Sequence, residues 1–366
     1  MILHPRPSPI AASMYQLRDI GIDAIILHGP SGCCFRTARL LEIDGIRVFT
    51  SSMSENDFIF GAMDKLRNVI NEVLEYLKKE CPKKEPYKIG VVGTCASMII
   101  GEDLKSAVEE FEDIIIPVEI HSGLNDNTIG AVRAMEGALL SGLITNREYE
   151  RQKKMLLKAT EIEKARGMAK NKYLKPNYDD DLEKFIEILK NAKKEIKNGK
   201  NLKLACILNA KKETAYLFSN PLLELNKHFN CINIANLDEN IGFDKIRKDA
   251  KNIVKEFNEN GFKIDYITGG LDEYPIACEN ALSYLIELNP DIVIVSGVPH
   301  ALLIEKLKDM NPNVITVGIS DGPRLYHPIK EVYDFCIIEL DAHAKVLGNE
   351  KIVKSRLGEI LSYLNF

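Results

Sequence analysis

Two short segments carry residues able to do chemistry. In the first, the apolar run Ala24-Ile25-Ile26-Leu27 ends in the turn His28-Gly29-Pro30-Ser31-Gly32 and then at once in Cys33-Cys34, at the start of a predicted helix. Glycines in such a turn let the backbone come close to a bulky group. A thiolate at a helix N-terminus is favoured by the helix dipole, which lowers its pKa and makes it a better metal ligand. The second segment, Gly90-Val91-Val92-Gly93-Thr94-Cys95, repeats the strand–turn–helix pattern with a cysteine at its corner. Two such corners point to a bound metal cluster.

The elements that must position these corners alternate in type. Ala24 to Leu27, Arg47 to Thr50, Lys88 to Val92 and Ile114 to Val118 read as short apolar strands. Helical patterns lie between and after them at Asp57 to Glu80, Leu104 to Phe111 and Asn127 to Ser141. Strands alternating with helices imply βαβ units and a parallel sheet. Residues 1–144 are therefore expected to form a cluster-binding α/β domain.

Charged helical stretches follow at Thr145 to Lys172 and Leu182 to Lys197, with a break at Tyr173 to Asp181; together, 145–200 reads as a helical bridge. The α/β pattern then restarts. Candidate strands are Leu202 to Leu208, Cys231 to Ile234, Lys263 to Thr268, Asp291 to Ser296, Val314 to Ile319 and Phe335 to Leu340. They suggest a second Rossmann-like unit at 201–275 and a third at 276–366. Gly269-Gly270, Ser296-Gly297 and Asp321-Gly322-Pro323 fall where these strands end, which is where open α/β sheets bind ligands. The fold class expected is α/β, with repeated Rossmann-like units and parallel sheets.

Composition narrows the function. The 366 residues are 45% hydrophobic and 28% charged, with a net charge of −5, so there is no basic excess to neutralise nucleic-acid phosphates. The runs Lys78-Lys79 and Lys83-Lys84 read as solvated helix ends. No segment is apolar and long enough to span a bilayer, and Met1 to Pro9 lacks a signal-peptide core, so a cytoplasmic protein is expected. There the eight cysteines should be reduced: buried hydrophobes, metal ligands or reactive thiols. Cys206, Cys231 and Cys336 lie in apolar strands and Cys278 in a helix, and all read as core. Cys81, beside Pro82, reads as incidental. The chain has no P-loop, dinucleotide fingerprint, C-x-x-C pair or H-E-x-x-H. Any ATP hydrolysis must come from a partner.

The segment Leu27-His28-Gly29-Pro30-Ser31-Gly32-Cys33 resembles the H-G-P-x-G-C turn of the nitrogenase component 1 family, in which the cysteine ligates an iron–sulfur cluster. Cys95-Ala96-Ser97-Met98-Ile99-Ile100-Gly101-Glu102-Asp103-Leu104 is similar to that family's C-x(5)-G-D-D-[IL] segment, whose cysteine is also a ligand. Pro117 to Gly123 occupies the place of the next strand and turn. The likeness is strong over the first third and a pattern of α/β repeats beyond it. Within the family, the short length, the N-terminal His4-Pro5-Arg6-Pro7-Ser8-Pro9 and the doubled Cys33-Cys34 most resemble the branch that reduces a nickel tetrapyrrole in methanogen coenzyme F-430 biosynthesis.

The resemblance implies an oxidoreductase that takes electrons from a nitrogenase-reductase-like ATPase with its own iron–sulfur cluster. It implies a [4Fe-4S] cluster in this chain, with nickel present only in the substrate. It also implies six-electron reduction of Ni-sirohydrochlorin a,c-diamide with γ-lactam formation. A cofactor-assembly scaffold and a non-enzymatic two-lobed binding module are the alternatives.

Larger relatives carry a further cysteine upstream of the first turn, and residues 1–32 here have none. Cys33 and Cys95, with Gly32 beside them, would supply two of the four ligands such a cluster usually takes. A two-fold homodimer would supply the others. The rival is a cluster in each chain that also uses Cys34; adjacent cysteines on a helix diverge by about 100°, which disfavours it. Ring reduction needs protons, and His121 and then His300 are candidate donors or nickel ligands, each with a plain structural reading beside it. Arg36 and Arg39, and more weakly Arg324, are candidate partners for substrate carboxylates. Glu102 and Asp103 are candidates for docking the reductase, or simply an acidic first helical turn.

Overall fold

The computed structural model describes residues 8–82, 84, 86–111, 113–124, 126–167 and 179–364. They divide into two compact units, one running to Leu156 and taking in Phe243–Lys245, the other comprising Leu157–Gly242 and the chain from Ile246 onward. The His4 to Pro7 part of the N-terminal motif and most of the expected break at Tyr173 to Asp181 lie outside the described residues.

The first unit is built on four parallel strands, β1 (Ala24–His28), β2 (Arg47–Thr50), β3 (Ile89–Gly93) and β4 (Ile115–Val118), in the order β2-β1-β3-β4. Every residue of β1 and β3 is buried, which is why both read as unbroken apolar runs rather than alternating ones. Their register pairs Ala24 with Ile89 and His28 with Gly93, so the two strands end side by side.

The helices of this unit are α1 (Pro9–Ile20), α2 (Phe35–Ile43), α3 (Glu55–Phe60), α4 (Met63–Glu80), α5 (Cys95–Ile99), α6 (Leu104–Ala107) and α7 (Asn127–Leu140). Ser8 caps α1 by accepting the Ala11 N–H at 3.2 Å, with Pro9 in the first turn. Helix α7 lies against α1 through Gly130, where a β-carbon would overlap the Pro9 carbonyl. In α4, Leu66, Ile70, Val73 and Leu77 fall on one face and are buried beneath the sheet with Ile26, Ile89 and Val91. Lys78 and Lys79 close its last turn, where cations suit the dipole. The single helix expected over Asp57 to Glu80 is two helices, because the chain turns at Gly61 with φ 87°.

Helix α8 (Asn146–Ala165) contains the division between the units, and α9 (Asp179–Lys197) belongs to the second. Residues 145–200 are thus only partly a bridge. Leu182, Phe185, Leu189 and Ala192 of α9 are core residues, and Asp181 accepts the Cys336 N–H at 2.9 Å.

The second unit holds β5 (Leu204–Asn209), β6 (Cys231–Ala235), β7 (Tyr266–Ile267), β8 (Ile292–Gly297), β9 (Ile315–Asp321) and β10 (Phe335–Glu339), all parallel, in the order β10-β9-β8-β5-β6-β7. Residues 201–275 and 276–366, expected as separate units, share this one sheet, because β5 pairs directly with β8 from Leu204↔Ile292 to Asn209↔Gly297. One core joins Ala205, Ile207, Val293, Val295, Cys278 and Cys336. Cys206 and Cys231 are buried as expected. Among the described residues no helix is long and apolar enough to cross a membrane.

Each sheet grows outward in two directions from a central strand. The first reverses between β1 and β3, the second between β5 and β8. In open parallel sheets, ligands bind beyond the carboxyl ends of the strands at such a reversal.

Candidate metal centre

The reversal in the first sheet is where both cysteine corners lie. After His28, the chain passes Gly29 and Pro30, and the Cys33 N–H donates to the Pro30 carbonyl at 3.0 Å, closing a turn that delivers Cys33 and Cys34 to the start of α2. After Gly93, Thr94 caps α5 by accepting the Ala96 N–H, and Ser97 completes a capping box, so Cys95 is the first residue of that helix. The Thr94 hydroxyl donates to the His28 carbonyl at 2.9 Å. A β-carbon at residue 29 would collide with the Thr94 side chain. Gly29 is therefore required so that one corner can sit flush on the other. The close approach foreseen for this turn is to the second corner. Gly32, by contrast, is exposed and faces open space.

All three thiols are half-buried, unlike the four core cysteines. The Cys95 Sγ lies 2.8 Å from the Ser122 hydroxyl and receives the Ser122 backbone N–H at 3.3 Å. The Ser122 backbone N–H and hydroxyl thus fix where the Cys95 sulfur sits. Cys33 and Cys34 share a hydrogen bond that holds the Cys33 thiol up and brings Cys34 down to about 7; burial opposes the Cys34 shift and the Ser8 hydroxyl assists it. Cys95 is near enough to act electrostatically on Cys34.

The expected divergence of Cys33 and Cys34 does not hold. Both precede α2 instead of lying on it, and Cys34 is left-handed with φ 53°, so the two sulfurs meet. Helical geometry therefore does not separate Cys34 from Cys33. Half-buried thiols with hydrogen-bond donors at a sheet reversal suit a thiolate-bound iron–sulfur cluster. Among the described residues of one chain, no group of three or more His, Cys, Asp or Glu forms a metal site.

Exposed apolar side chains follow the thiols along the chain, Phe35 after Cys34 and Met98 and Ile99 on α5, and further ones, Phe58, Ile59 and Phe60, lie on α3, with Phe60 83% exposed. Helix α3 has no buried residue at all. The segments are tied together, since Met53 and Ala62 pack on Ala96 and the Met53 N–H donates to the Gly29 carbonyl. Grouped exposed apolar residues mark an interaction surface.

Other candidates are placed less centrally. His121 is half-exposed in the turn after β4, where its Nδ1 accepts the Gly123 N–H at 3.2 Å. Its neighbour Ser122, which sequence reasoning passed over, is the residue that touches Cys95. Arg36 and Arg39 are on the exposed face of α2, and Arg39 pairs with Glu42 of the same helix. Asp103 is exposed and caps α6 by accepting the Lys105 and Ser106 N–H groups. The Glu102 side chain is only 5% exposed, its carboxylate turned inward to His28 and the Ala62 N–H. The exposed Asp103 and the inward-turned Glu102 therefore differ in what they present to solvent. His300 and Arg324 belong to the second unit and are both buried.

Comparison with known proteins decides the family. A family model described as nitrogenase component 1 type oxidoreductase matches residues 8–170. The "Ni-sirohydrochlorin a,c-diamide reductive cyclase complex, component CfbD" of Methanocaldococcus jannaschii is 64% identical over 363 residues, 99% of each chain. The chain belongs to the CfbD family. The CfbD component of Methanothermobacter thermautotrophicus is 49% identical over 98% of each chain. Outside the CfbD family, the nitrogenase molybdenum-iron protein alpha chain of Clostridium pasteurianum is 33% identical over 109 residues, 26% of this chain. As a CfbD-family member, the protein is an oxidoreductase, and its residues 8–170 are similar to the nitrogenase component 1 type.

Proposed function

We propose that the protein is the catalytic component of a cytoplasmic Ni-sirohydrochlorin a,c-diamide reductive cyclase. In this reading it works as a homodimer around one shared [4Fe-4S] cluster and receives electrons from a separate nitrogenase-reductase-like ATPase. The observation that carries the reading is the meeting of the Cys33 and Cys95 turns at the reversal of the first sheet. Two thiolates from each of two chains make the four that such a cluster takes, and a two-fold axis presents the same patch twice. The exposed apolar residues beside the thiols give that patch its apolar centre.

A cluster held here would supply electron relay from the reductase, six electrons in all for reduction of the macrocycle with γ-lactam formation to 15,17(3)-seco-F-430-17(3)-acid. The chain's own residues do the rest. Cys33 and Cys95 would hold the metal, and the Ser122 hydroxyl and backbone N–H keep the Cys95 sulfur in position. His121, next to Ser122, is the first candidate to pass protons to the reduced ring, and His300 the second. Arg36 and Arg39 offer planar, bidentate partners to substrate carboxylates. Asp103 is the acidic group that remains exposed for the reductase.

The test is anaerobic reconstitution, then turnover of Ni-sirohydrochlorin a,c-diamide with the reductase and ATP. About four irons per dimer and formation of the seco-acid are expected. About eight irons per dimer would rule out the shared cluster. A loaded protein that leaves the macrocycle unreduced would rule out the activity.

A further inference from the structure

His28 is fully buried at the end of β1, and its hydrogen bonds account for every polar atom of the ring. The Ser51 hydroxyl accepts the Gly29 N–H at 3.0 Å. Its own proton has two acceptors in reach, the His28 Nδ1 at 3.0 Å and, more weakly, the Gly29 carbonyl at 3.5 Å. With the Ser51 hydroxyl donating to Nδ1, the Nε2–H donates to the Glu102 Oε2 at 2.5 Å. The other Glu102 oxygen accepts the Ala62 N–H at the start of α4. Both carboxylate oxygens are thus engaged as acceptors inside the fold.

These contacts link both corners. On one side of the ring the backbone leads through Gly29 to Cys33. On the other, Glu102 comes three residues after the helix that Cys95 begins, and the Glu102 N–H itself donates to the Ser97 carbonyl at 3.0 Å. From the opposite end the Thr94 hydroxyl grips the His28 carbonyl. The segment carrying Cys95 is therefore pinned to the first turn both before and after the cysteine.

We propose that His28 and Glu102 are positioning residues which fix the separation of the Cys33 and Cys95 turns, so that the reach of the Glu102 side chain sets how firmly the metal is held. Partners behind metal ligands typically alter affinity by about 10- to 100-fold when removed. The proposal rests on the cluster reading above.

Reach and charge separate cleanly. Glu102→Gln keeps the reach: its amide oxygen can take the Ala62 N–H, and its NH₂ can donate to Nε2 once the His28 proton moves to Nδ1 and faces Ser51. Glu102→Asp keeps the charge but shortens the arm by one methylene. After anaerobic reconstitution, iron retention against a chelator should be near parental in Glu102→Gln and weakened about 10-fold or more in Glu102→Asp. In the metal-free chain, Glu102→Asp should raise amide exchange together in residues 28–34 and 94–102, while circular dichroism stays parental. A His28→Ala/Glu102→Ala double variant should be no worse than either single one, as expected for one shared interaction. Loss of iron in Glu102→Gln with retention in Glu102→Asp would overturn the proposal, as would parental exchange in both turns of Glu102→Asp. A parent that takes up no cluster would refute the cluster reading instead, and the exchange data would still decide the role of the pair.

Discussion

The two sheet reversals are built alike and filled differently. Between β1 and β3 the carboxyl edge carries half-buried thiols, with exposed apolar side chains following them. At the carboxyl edge of the second sheet, past β5, β8, β9 and β10, the chain places charges that answer one another. Lys211 donates to Glu163 at 2.6 Å, the His300 Nε2 lies 3.5 Å from the same carboxylate, and His343 pairs with Asp321 at 3.2 Å. Burial pushes the Glu163 carboxyl up, but Lys211 and His300 outweigh it and hold the group well below the usual range. Burial works against the Lys211 charge, yet Tyr274, Glu163 and Asp321 raise it above its ordinary value. The contrast shows that topology offers a ligand edge in both sheets and that side chains decide its use. One edge presents half-buried sulfurs, while the other carries ion pairs that largely neutralise one another.

The largest effects belong to the thiols. Cys33→Ala or Cys95→Ala should each abolish iron uptake, measured as the visible charge-transfer absorbance and iron per dimer, whereas Lys211→Met should leave uptake parental. Iron at parental levels in either cysteine variant would remove that residue from the ligand set. Next in size, Glu163→Ala strands Lys211 without its partner. Breaking a buried pair costs about 3–5 kcal/mol, and since the Lys211 side chain is 27% exposed, the lower end is expected, read as a fall in unfolding midpoint of the metal-free chain.

The same pair should show in the pH dependence of stability. The folded pKa of Glu163 lies below the ordinary 4.5, so the unfolded chain binds this proton first. The stabilisation is complete above about pH 4.5 and declines as the pH falls towards the folded value. Glu163→Gln should flatten that acid-side decline; an unchanged slope would show that the pair is not coupled to folding. The smallest effect belongs to Cys34→Ser, which should bind iron as the parent does if Cys33 and Cys95 are the ligands. Loss of iron there would bring Cys34 into the site and sharpen the contrast between three thiols and a set of ion pairs.

Much of this was legible in the residues. The fully buried strands are apolar runs, so β1, β3, β5 and β8 could be read to within two residues. The cysteine corners announced themselves because glycine, a capping threonine and a thiol at a strand end have few other uses together. Three things were not legible. The union of β5 and β8 depends on long-range pairing, which local pattern does not encode. The meeting of Cys33 and Cys34 depends on one left-handed residue that carries no glycine to mark it. The roles of Ser122 and Glu102 arise from contacts across 27 and 74 positions, and an exposed-looking acidic pair, Glu102-Asp103, conceals that one member points inward.

The left-handed backbone at Cys34 has an energetic side. A residue with a β-carbon is strained there by about 1 kcal/mol or more relative to glycine. Nothing in the fold of α2 asks for a side chain at this position, since Cys34 makes no capping bond. Cys34→Gly should therefore raise the melting temperature of the metal-free protein. The position where the chain is less stable than it could be is the one that sets a second sulfur against Cys33.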